Sequence, residues 1–376
     1  MRILQVCSAR DIGGGEKHLA DLANALSTRG HEIFVALAPR ASVRGLLSSV
    51  PAENIIELPI RGALSLRSAL KLADFASEQR IGIIHAHLGR DYPVAALAAW
   101  RAGAQLVLTR HVLFPLSKLH RLTLRRTARV IAVSEAVAGG LQAQNIFASG
   151  QIETIHNGVD MTRFDHEGKR QADPHHQRLR IGTIGHLGTI KGHEDFVRAA
   201  AIVSKRYDNV EFIIAGKDKS RNNENRAGIE KLIKGLGLED RVHLTGWIDN
   251  VAQLLSSFDL FVSAARAEPF GLAIVEAMAA GVPLIATASE GAREIVNQNH
   301  SGRLVPVGNV ESMAKAMIEL LSDPEESERL ARNAKADART KFSLVTMVDK
   351  TERLYRNALS SYTVREGEYV LREDME

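Results

Sequence analysis

Short apolar runs alternate with stretches whose apolar residues recur every three or four positions, and this alternation runs through the chain twice. In the first pass Arg2 to Val6 reads as a buried strand, Gly13 to Glu16 as a tight turn, Lys17 to Thr28 as a helix and Glu32 to Leu37 as the next strand. Leu19, Leu22, Ala23 and Leu26 form the apolar stripe of that helix. Further strands are predicted near Asn54 to Glu57, Ile81 to His85, Leu106 to Thr109, Val130 to Val133 and Glu153 to Ile155. The pattern restarts with a strand from Arg180 to Ile184, a turn from Gly185 to Gly192, a helix from Glu194 to Lys205 and a strand from Val210 to Ala215. Strands at Val242 to Leu244, Leu260 to Val262, Leu284 to Ala286 and Arg303 to Val305 complete it. Strand and helix in strict alternation predict an α/β protein with parallel sheets covered by helices on both faces.

The boundaries follow from where the period fails. Residues 165–179 are polar and aperiodic, which reads as a linker between an N-terminal domain over 1–164 and a C-terminal domain over 180–343. The remainder, 344–376, opens with an amphipathic helix near Leu344 to Leu359 that could cross back to the N-terminal domain. It closes with a charged tail from Val364 expected to fray. Two Rossmann-like domains in tandem make the cleft between them the expected ligand site.

One segment breaks its own pattern. From Phe270 to Val282 every residue but Glu276 is apolar or glycine, a buried helix stopped by Gly281 and Pro283. An unpaired buried charge costs several kcal/mol, so Glu276 either finds a partner, faces solvent, or points at hydroxyl groups in a cleft. Glu268 stands eight positions before it.

Composition changes this picture little. The 376 residues are 45% hydrophobic and 24% charged, ordinary values for a globular chain of two domains. Cys7 is the only cysteine and lies in the first strand, so a reducing compartment is compatible and no internal disulfide forms. No signal segment or membrane-spanning run is expected, which suggests a cytoplasmic protein. The net charge of +4 is uneven, since residues 1–160 hold about 18 Lys and Arg against 12 Asp and Glu. Lys118 to Arg129 is a basic stretch, with Leu119, Leu122 and Leu124 set among Lys118, Arg121, Arg125, Arg126 and Arg129. A surface helix with a solvated basic face and an attraction to anionic lipid or an acidic acceptor both fit it. Nucleic acid is disfavoured as a partner, because aromatics are only 5% and no zinc spacing or RNA-binding signature accompanies the charge.

Both halves place glycines between a first strand and a helix N-terminus, where free N–H groups suit a phosphate. Gly13 to Gly15 alone is a weak signal, and the acidic residue that a nicotinamide dinucleotide needs is missing, since Ile33 to Leu37 leads to Ala38-Pro39-Arg40. In the second turn Lys191 adds a cation before the helix. Metal chemistry has little support: there is no Asp-x-Asp pair, and His175-His176 falls in the linker. His111 follows the strand ending at Thr109, at the edge where α/β sheets bind ligands, although a structural role is open to it too.

Gly13-Gly-Gly-Glu-Lys-His18 through His31, Val133-Ser134-Glu135, His156 to Asp160, Gly185 to Gly192 and Glu268 to Pro283 together resemble the retaining glycosyltransferases of family 4. The resemblance spans nearly the whole chain and implies the GT-B architecture, with two Rossmann-like domains whose parallel sheets face each other across a cleft. It implies transfer of a sugar from a nucleotide diphosphate sugar with retention of configuration, without metal or other cofactor. By similarity Glu276 holds the ribose, Glu268 contacts the donor sugar, His111 lies near the transferred sugar, and Gly14, Gly15 and Lys191 approach the diphosphate. Trp247 would lie near the base. Acceptor or membrane contacts are expected near Arg90, Arg110, Arg121, Arg125 and Arg126 from their charge, since no motif points to them. The family commonly has an arginine after the glycine of the second turn, where this chain has His186. A neutral imidazole supplies less charge, and Lys217 is the candidate to replace it. The expected acceptor is a cell-surface glycan, glycolipid or lipid-linked precursor at the inner membrane face, with a sugar-nucleotide epimerase and a non-catalytic nucleotide-sugar-binding protein as the competing readings.

Overall fold

The computed structural model describes residues 1–60, 62, 65–117, 120–148, 150–165 and 178–373, the last thirteen of these by their backbone. Its chain forms two compact units, Met1–Gly158 with Leu344–Glu376, and Val159–Ser343. Most of the predicted linker, 166–177, lies outside the described residues, as do Lys118, Leu119, His175 and His176.

The first unit is a seven-stranded sheet of β1 (Arg2–Cys7), β2 (Glu32–Leu37), β3 (Ile55–Glu57), β4 (Ile83–Ala86), β5 (Gln105–Arg110), β6 (Thr127–Ala132) and β7 (Ile152–Thr154). Its order is β3-β2-β1-β4-β5-β6-β7, every pairing parallel. The strand order reverses between β1 and β4, the place where doubly wound sheets open a crevice beyond their carboxyl ends. The helix Gly14–Thr28 buries Leu19, Leu22, Ala23 and Leu26 against this sheet, as its stripe predicts. It begins three residues earlier than the periodicity suggests, so Gly14 and Gly15 form its first turn.

The second unit repeats the plan with β8 (Leu179–Ile184), β9 (Val210–Ala215), β10 (Val242–Gly246), β11 (Leu260–Ser263), β12 (Leu284–Thr287) and β13 (Arg303–Val305). The order β10-β9-β8-β11-β12-β13 is again wholly parallel, with its reversal between β8 and β11. A core of Phe196, Val197, Phe212, Ile214, Val262 and Ile285 fills one face.

The helix Leu344–Glu373 packs in the first unit, burying Met347, Val348, Leu354 and Tyr355. Its helical backbone continues to Glu373 instead of fraying at Val364, since the intervening Arg, Glu and Leu residues favour helix and no proline interrupts them. Tyr355 anchors it through a buried polar chain. The Gln5 amide donates to the Tyr355 hydroxyl at 3.3 Å, that hydroxyl meets His85 Nδ1 at 2.6 Å, and His85 Nε2 meets Thr109 Oγ1 at 2.7 Å. Gln5 and His85 are paired across β1 and β4, so the sheet register itself sets them side by side. No helix among the described residues is long and apolar enough to cross a membrane.

Removing the Tyr355 hydroxyl leaves His85 and Gln5 buried without their partner. Tyr355→Phe is therefore expected to lower the opening free energy of the first unit by ~1–3 kcal/mol. Hydrogen exchange of the slowest β1 and β4 amides measures it, with β8 and β9 amides as the internal control; equal protection in both proteins contradicts the role given to the hydroxyl.

Candidate functional site

In the second unit the turn after β8 tightens into one 3-10 turn, Thr189–Lys191, and enters the helix His193–Val203 through Gly192. Gly192 has φ 66°, and a Cβ there would stand 1.9 Å from the Ala264 carbonyl oxygen, so only glycine lets this turn lie against the exit of β11. Lys191 runs its stem over Gly185 and donates from Nζ to Glu268 Oε2 at 2.5 Å. Both side chains are mostly enclosed, 21% and 14% exposed, a setting in which a charge-assisted hydrogen bond fixes orientation. Two residues that lie 77 apart in sequence are thus joined. The Glu268 carbonyl is held in turn by the Gly291 N–H at 2.8 Å.

Gly271, at φ 115°, starts the helix Leu272–Ala280, and Gly281, at φ 70°, ends it. Glu276 projects from this helix at 5% exposure, so the solvent-facing alternative does not hold. It has polar company in the fold rather than standing alone.

His186 stays accessible to solvent, and its carbonyl accepts from His193 Nε2 at 3.2 Å. Partial burial, followed by the cations of Lys191 and Lys219, lowers its pKa, with Glu268 pulling the other way. It is therefore a neutral imidazole at pH 7. Lys217 is exposed, and its backbone carbonyl, not its ammonium, engages the turn, accepting from the Leu187 N–H at 3.0 Å. Besides Lys191, the cation that bears on His186 is Lys219, which the sequence reading passed over. Asp218 orders this loop. Its carboxylate accepts from the N–H groups of Ser220 and Arg226 and from Asn225 Nδ2, at 2.7 to 3.1 Å, bonds that hold its pKa well down even though its largest single influence, burial, acts upward. Trp247 follows β10 half exposed, its indole N–H donating to Asp249 Oδ1 at 2.7 Å.

In the first unit the helix Gly14–Thr28 has no side-chain cap, leaving first-turn N–H groups for a ligand or water. A Cβ on Gly15 would sit 3.4 Å from the His111 ring, so the glycine turn and His111 are neighbours. His111 is also one of a group. With His18 it makes an edge-on ring contact at 4.9 Å, and with His87 a stacked one at 5.8 Å. Burial lowers the pKa of all three, His18 to about 4, and the neighbouring imidazoles push His87 and His111 further down. Sequence inspection missed His18 and His87 as partners. The alternation His85-Ala86-His87 at the end of a strand, which turns both imidazoles to one side, was the available signal.

The basic stretch departs from expectation. Among its described residues only His120–Thr123 is helical; the chain then turns and Thr127 begins β6, so Arg129 lies on a strand and Leu124 enters the core. Arg110 is 7% exposed and donates to the Phe114 carbonyl, bracing the following loop instead of presenting a free charge. Arg121 leans on the carbonyls of Gln144 and Asn145, at 3.4 and 3.3 Å. Arg90 is tied to Ser8, whose N–H and hydroxyl are bound by buried Asp91. Arg125 and Arg126 do remain exposed, on the rim of an apolar groove of ≈ 590 Å³ that also includes Leu66, Leu97, Trp100 and Leu122. The Arg126 guanidinium lies 5.8 Å over the Trp100 ring.

Comparison with known proteins finds two family models along the sequence. Residues 12–163 match the family described as Glycosyltransferase Family 4, and residues 165–337 match Glycosyl transferases group 1. The chain is 26% identical to the N-acetyl-alpha-D-glucosaminyl L-malate synthase of Bacillus anthracis, over 93% of this chain and 95% of that protein. It is 34% identical to the Alpha-D-kanosaminyltransferase of Streptomyces kanamyceticus over 46% of this chain and 44% of the relative. Among solved structures, that of Anabaena Alr3699/HepE in complex with UDP-glucose superimposes with a TM-score of 0.82 at 26% identity, over 96% of this chain and 100% of the other. Matches that run almost without a break from residue 12 to residue 337, on two parallel-sheet units, place this chain among the family 4 glycosyltransferases of GT-B fold.

Proposed function

We propose that the chain moves a hexosyl or N-acetylhexosaminyl group from a nucleoside diphosphate sugar to a glycan, glycolipid or lipid-linked acceptor, with retention at the anomeric carbon and no metal in the transfer. The observation that carries the reading is the Lys191–Glu268 pair, a cation and a carboxylate held together at the edge of a parallel sheet. The Lys191 ammonium answers the diphosphate, and Glu268 both orients that ammonium and meets the sugar hydroxyls. Glu276 is assigned to the ribose hydroxyls. His186, Lys217 and Lys219 border the phosphates, and Trp247 the base. From the first unit, His111 is the candidate for the sugar and the Gly14 and Gly15 amides for phosphate. A uridine diphosphate sugar is the favoured donor class, because the related Anabaena protein has been solved with UDP and glucose and with UDP-glucose.

In the transfer, the acceptor hydroxyl approaches the anomeric carbon from the side on which the diphosphate departs. The carbon–phosphate oxygen bond breaks, the carbon–acceptor oxygen bond forms, and the acceptor proton passes to the leaving phosphate oxygen. Cations and amides around the diphosphate stabilise the charge that develops there. The exposed groove with Trp100, Leu66 and Leu122 beside Arg125 and Arg126 supports an apolar, anionic acceptor and a peripheral seat on the cytoplasmic membrane face.

UDP-hexoses at 100 times their dissociation constant are expected to stabilise the metal-stripped protein by about 2.7 kcal/mol, read as a thermal shift. If no nucleoside diphosphate sugar moves the melt, the reading fails. In the same assay Glu276→Ala loses most of that shift, whereas Glu268→Gln keeps it and lowers turnover by on the order of 100-fold; unchanged turnover removes Glu268 from the chemistry.

His186 gives a pH test whose sign is fixed. Its pKa is lowered in the free protein, and a bound diphosphate raises it, so donor binding takes up a proton and tightens as pH falls through the bound-state pKa. His186→Arg is expected to tighten UDP binding at pH 8 by roughly tenfold, near the low end of what a hydrogen bond to a charged group contributes, and to flatten the pH profile. Calorimetric titration decides it, and a slope that survives the substitution assigns the proton elsewhere.

For the membrane face, replacing Arg125 and Arg126 by Gln is expected to weaken binding to phosphatidylserine vesicles by about 2 kcal/mol, roughly 30-fold, since each such charge contributes ~1 kcal/mol. Co-sedimentation measures this, and equal binding to neutral vesicles counts against it.

A further inference from the structure

Three imidazoles converge at the carboxyl edge of the first unit's sheet. His18 comes from the helix Gly14–Thr28, His87 from just beyond β4 and His111 from just beyond β5. One ring nitrogen from each lies within 4.8 Å of the other two, the only such group of potential ligands among the described residues. His111 Nε2 and His87 Nδ1 are 3.5 Å apart.

The polar surroundings of the group point to a ligand. His18 is 4% exposed, yet neither of its ring nitrogens makes a hydrogen bond of good geometry, its nearest approach to one being the Asn157 side chain. Native proteins rarely leave such a group unpaired, because each costs ~1–3 kcal/mol. Asn157 lies beside His18, and its Oδ1 is likewise buried without a partner, so a small turn of either side chain supplies the acceptor that a ligating imidazole needs for its second nitrogen. His87 already has that arrangement. Its Nε2 donates to Gln5 Oε1 at 2.6 Å, which leaves the Nδ1 lone pair facing the group. The carbonyl orientation of Gln5 is fixed by its amide nitrogen, which donates to Tyr355 in the chain that ends on Thr109. Metal-bound histidines are oriented by outer partners of this kind. All three rings are neutral at pH 7, the state that ligation requires.

We propose that His18, His87 and His111 form a binding site for a zinc-class divalent cation. Ligand nitrogens about a tetrahedral zinc stand about 3.3 Å apart, given bonds of roughly 2.0–2.1 Å. The His87–His111 pair is close to that spacing, and the group contracts by about 1.5 Å at most to reach it. The ion has no part in the transfer step proposed above. It occupies the His111 nitrogen, so ion and donor sugar compete for one imidazole, and bound zinc inhibits the enzyme; this last consequence alone rests on the role given to His111.

The test is a titration of the metal-stripped full chain with Co²⁺, followed by visible absorption and calorimetry. The expected result is one equivalent bound with the strong visible bands of a four- or five-coordinate ion, displaced by Zn²⁺. His87→Ala and His18→Ala abolish those bands, Gln5→Leu weakens binding about 10- to 100-fold through the loss of the outer partner, and replacing His175 and His176 together changes nothing. Zinc X-ray absorption on the unaltered protein, expected to count three imidazoles, keeps the test decisive if a variant fails to fold. No stoichiometric binding, fewer than three imidazoles, or binding lost with His175 and His176 overturns the site. Stoichiometric binding without inhibition of transfer leaves the site standing and removes His111 from the sugar.

Discussion

A parallel strand buried on both faces has nowhere to place a polar side chain except beyond its carboxyl end or inside a closed hydrogen-bond set, and both units are organised by that constraint. Strands β1, β4 and β5 carry Ile3, Leu4, Val6, Ile83, Ile84, Val107 and Leu108 at essentially no exposure. The exceptions, Gln5, His85 and Thr109, are linked to one another and to Tyr355. What is left for chemistry collects at one edge, where His87, His111 and the Gly14 to His18 turn meet.

The second unit meets the same constraint with backbone rather than side chains. Gly192 and Gly216 carry positive φ, and a Cβ on either would collide with a carbonyl oxygen, of Ala264 and Gly185 respectively, at under 2 Å. Glycine therefore packs these turns close enough for Lys191 to reach Glu268 across the top of the sheet. The pair is worth more for orientation than for stability, because both groups are mostly enclosed and the cost of desolvating them offsets much of their attraction.

The alternation of strand and helix was legible almost residue by residue, since burial on two faces writes continuous apolar runs into strands and a 3.6-residue stripe into helices. The misreadings cluster where charge stood in for structure. Lys118 to Arg129 has the composition of a basic helix, yet Thr127 to Ala132 is recruited to the sheet edge, and pairing with β5 and β7 outweighs local propensity. Arg110, expected near the acceptor, has a backbone that continues β5, which carries its side chain inward to the Phe114 carbonyl. Motif order singled out Glu268, Glu276, Lys191 and His111, and the structure joins Lys191 to Glu268 and sets His111 beside Gly15; Lys219 escaped notice, because its bearing on His186 depends on the turn that Asp218 imposes.

The sequence by itself determined the two parallel-sheet units, the glycine turns at their first strands and the oddity of a carboxylate in an apolar helix, because periodicity and backbone permissiveness are local properties. Only the tertiary structure decided which of these residues meet. Lys191 finds Glu268 across 77 positions, His18 finds His87 and His111, and Tyr355 reaches back 350 positions to Gln5. Such meetings are set by strand order and register, and those emerge only when the whole sheet is buried at once.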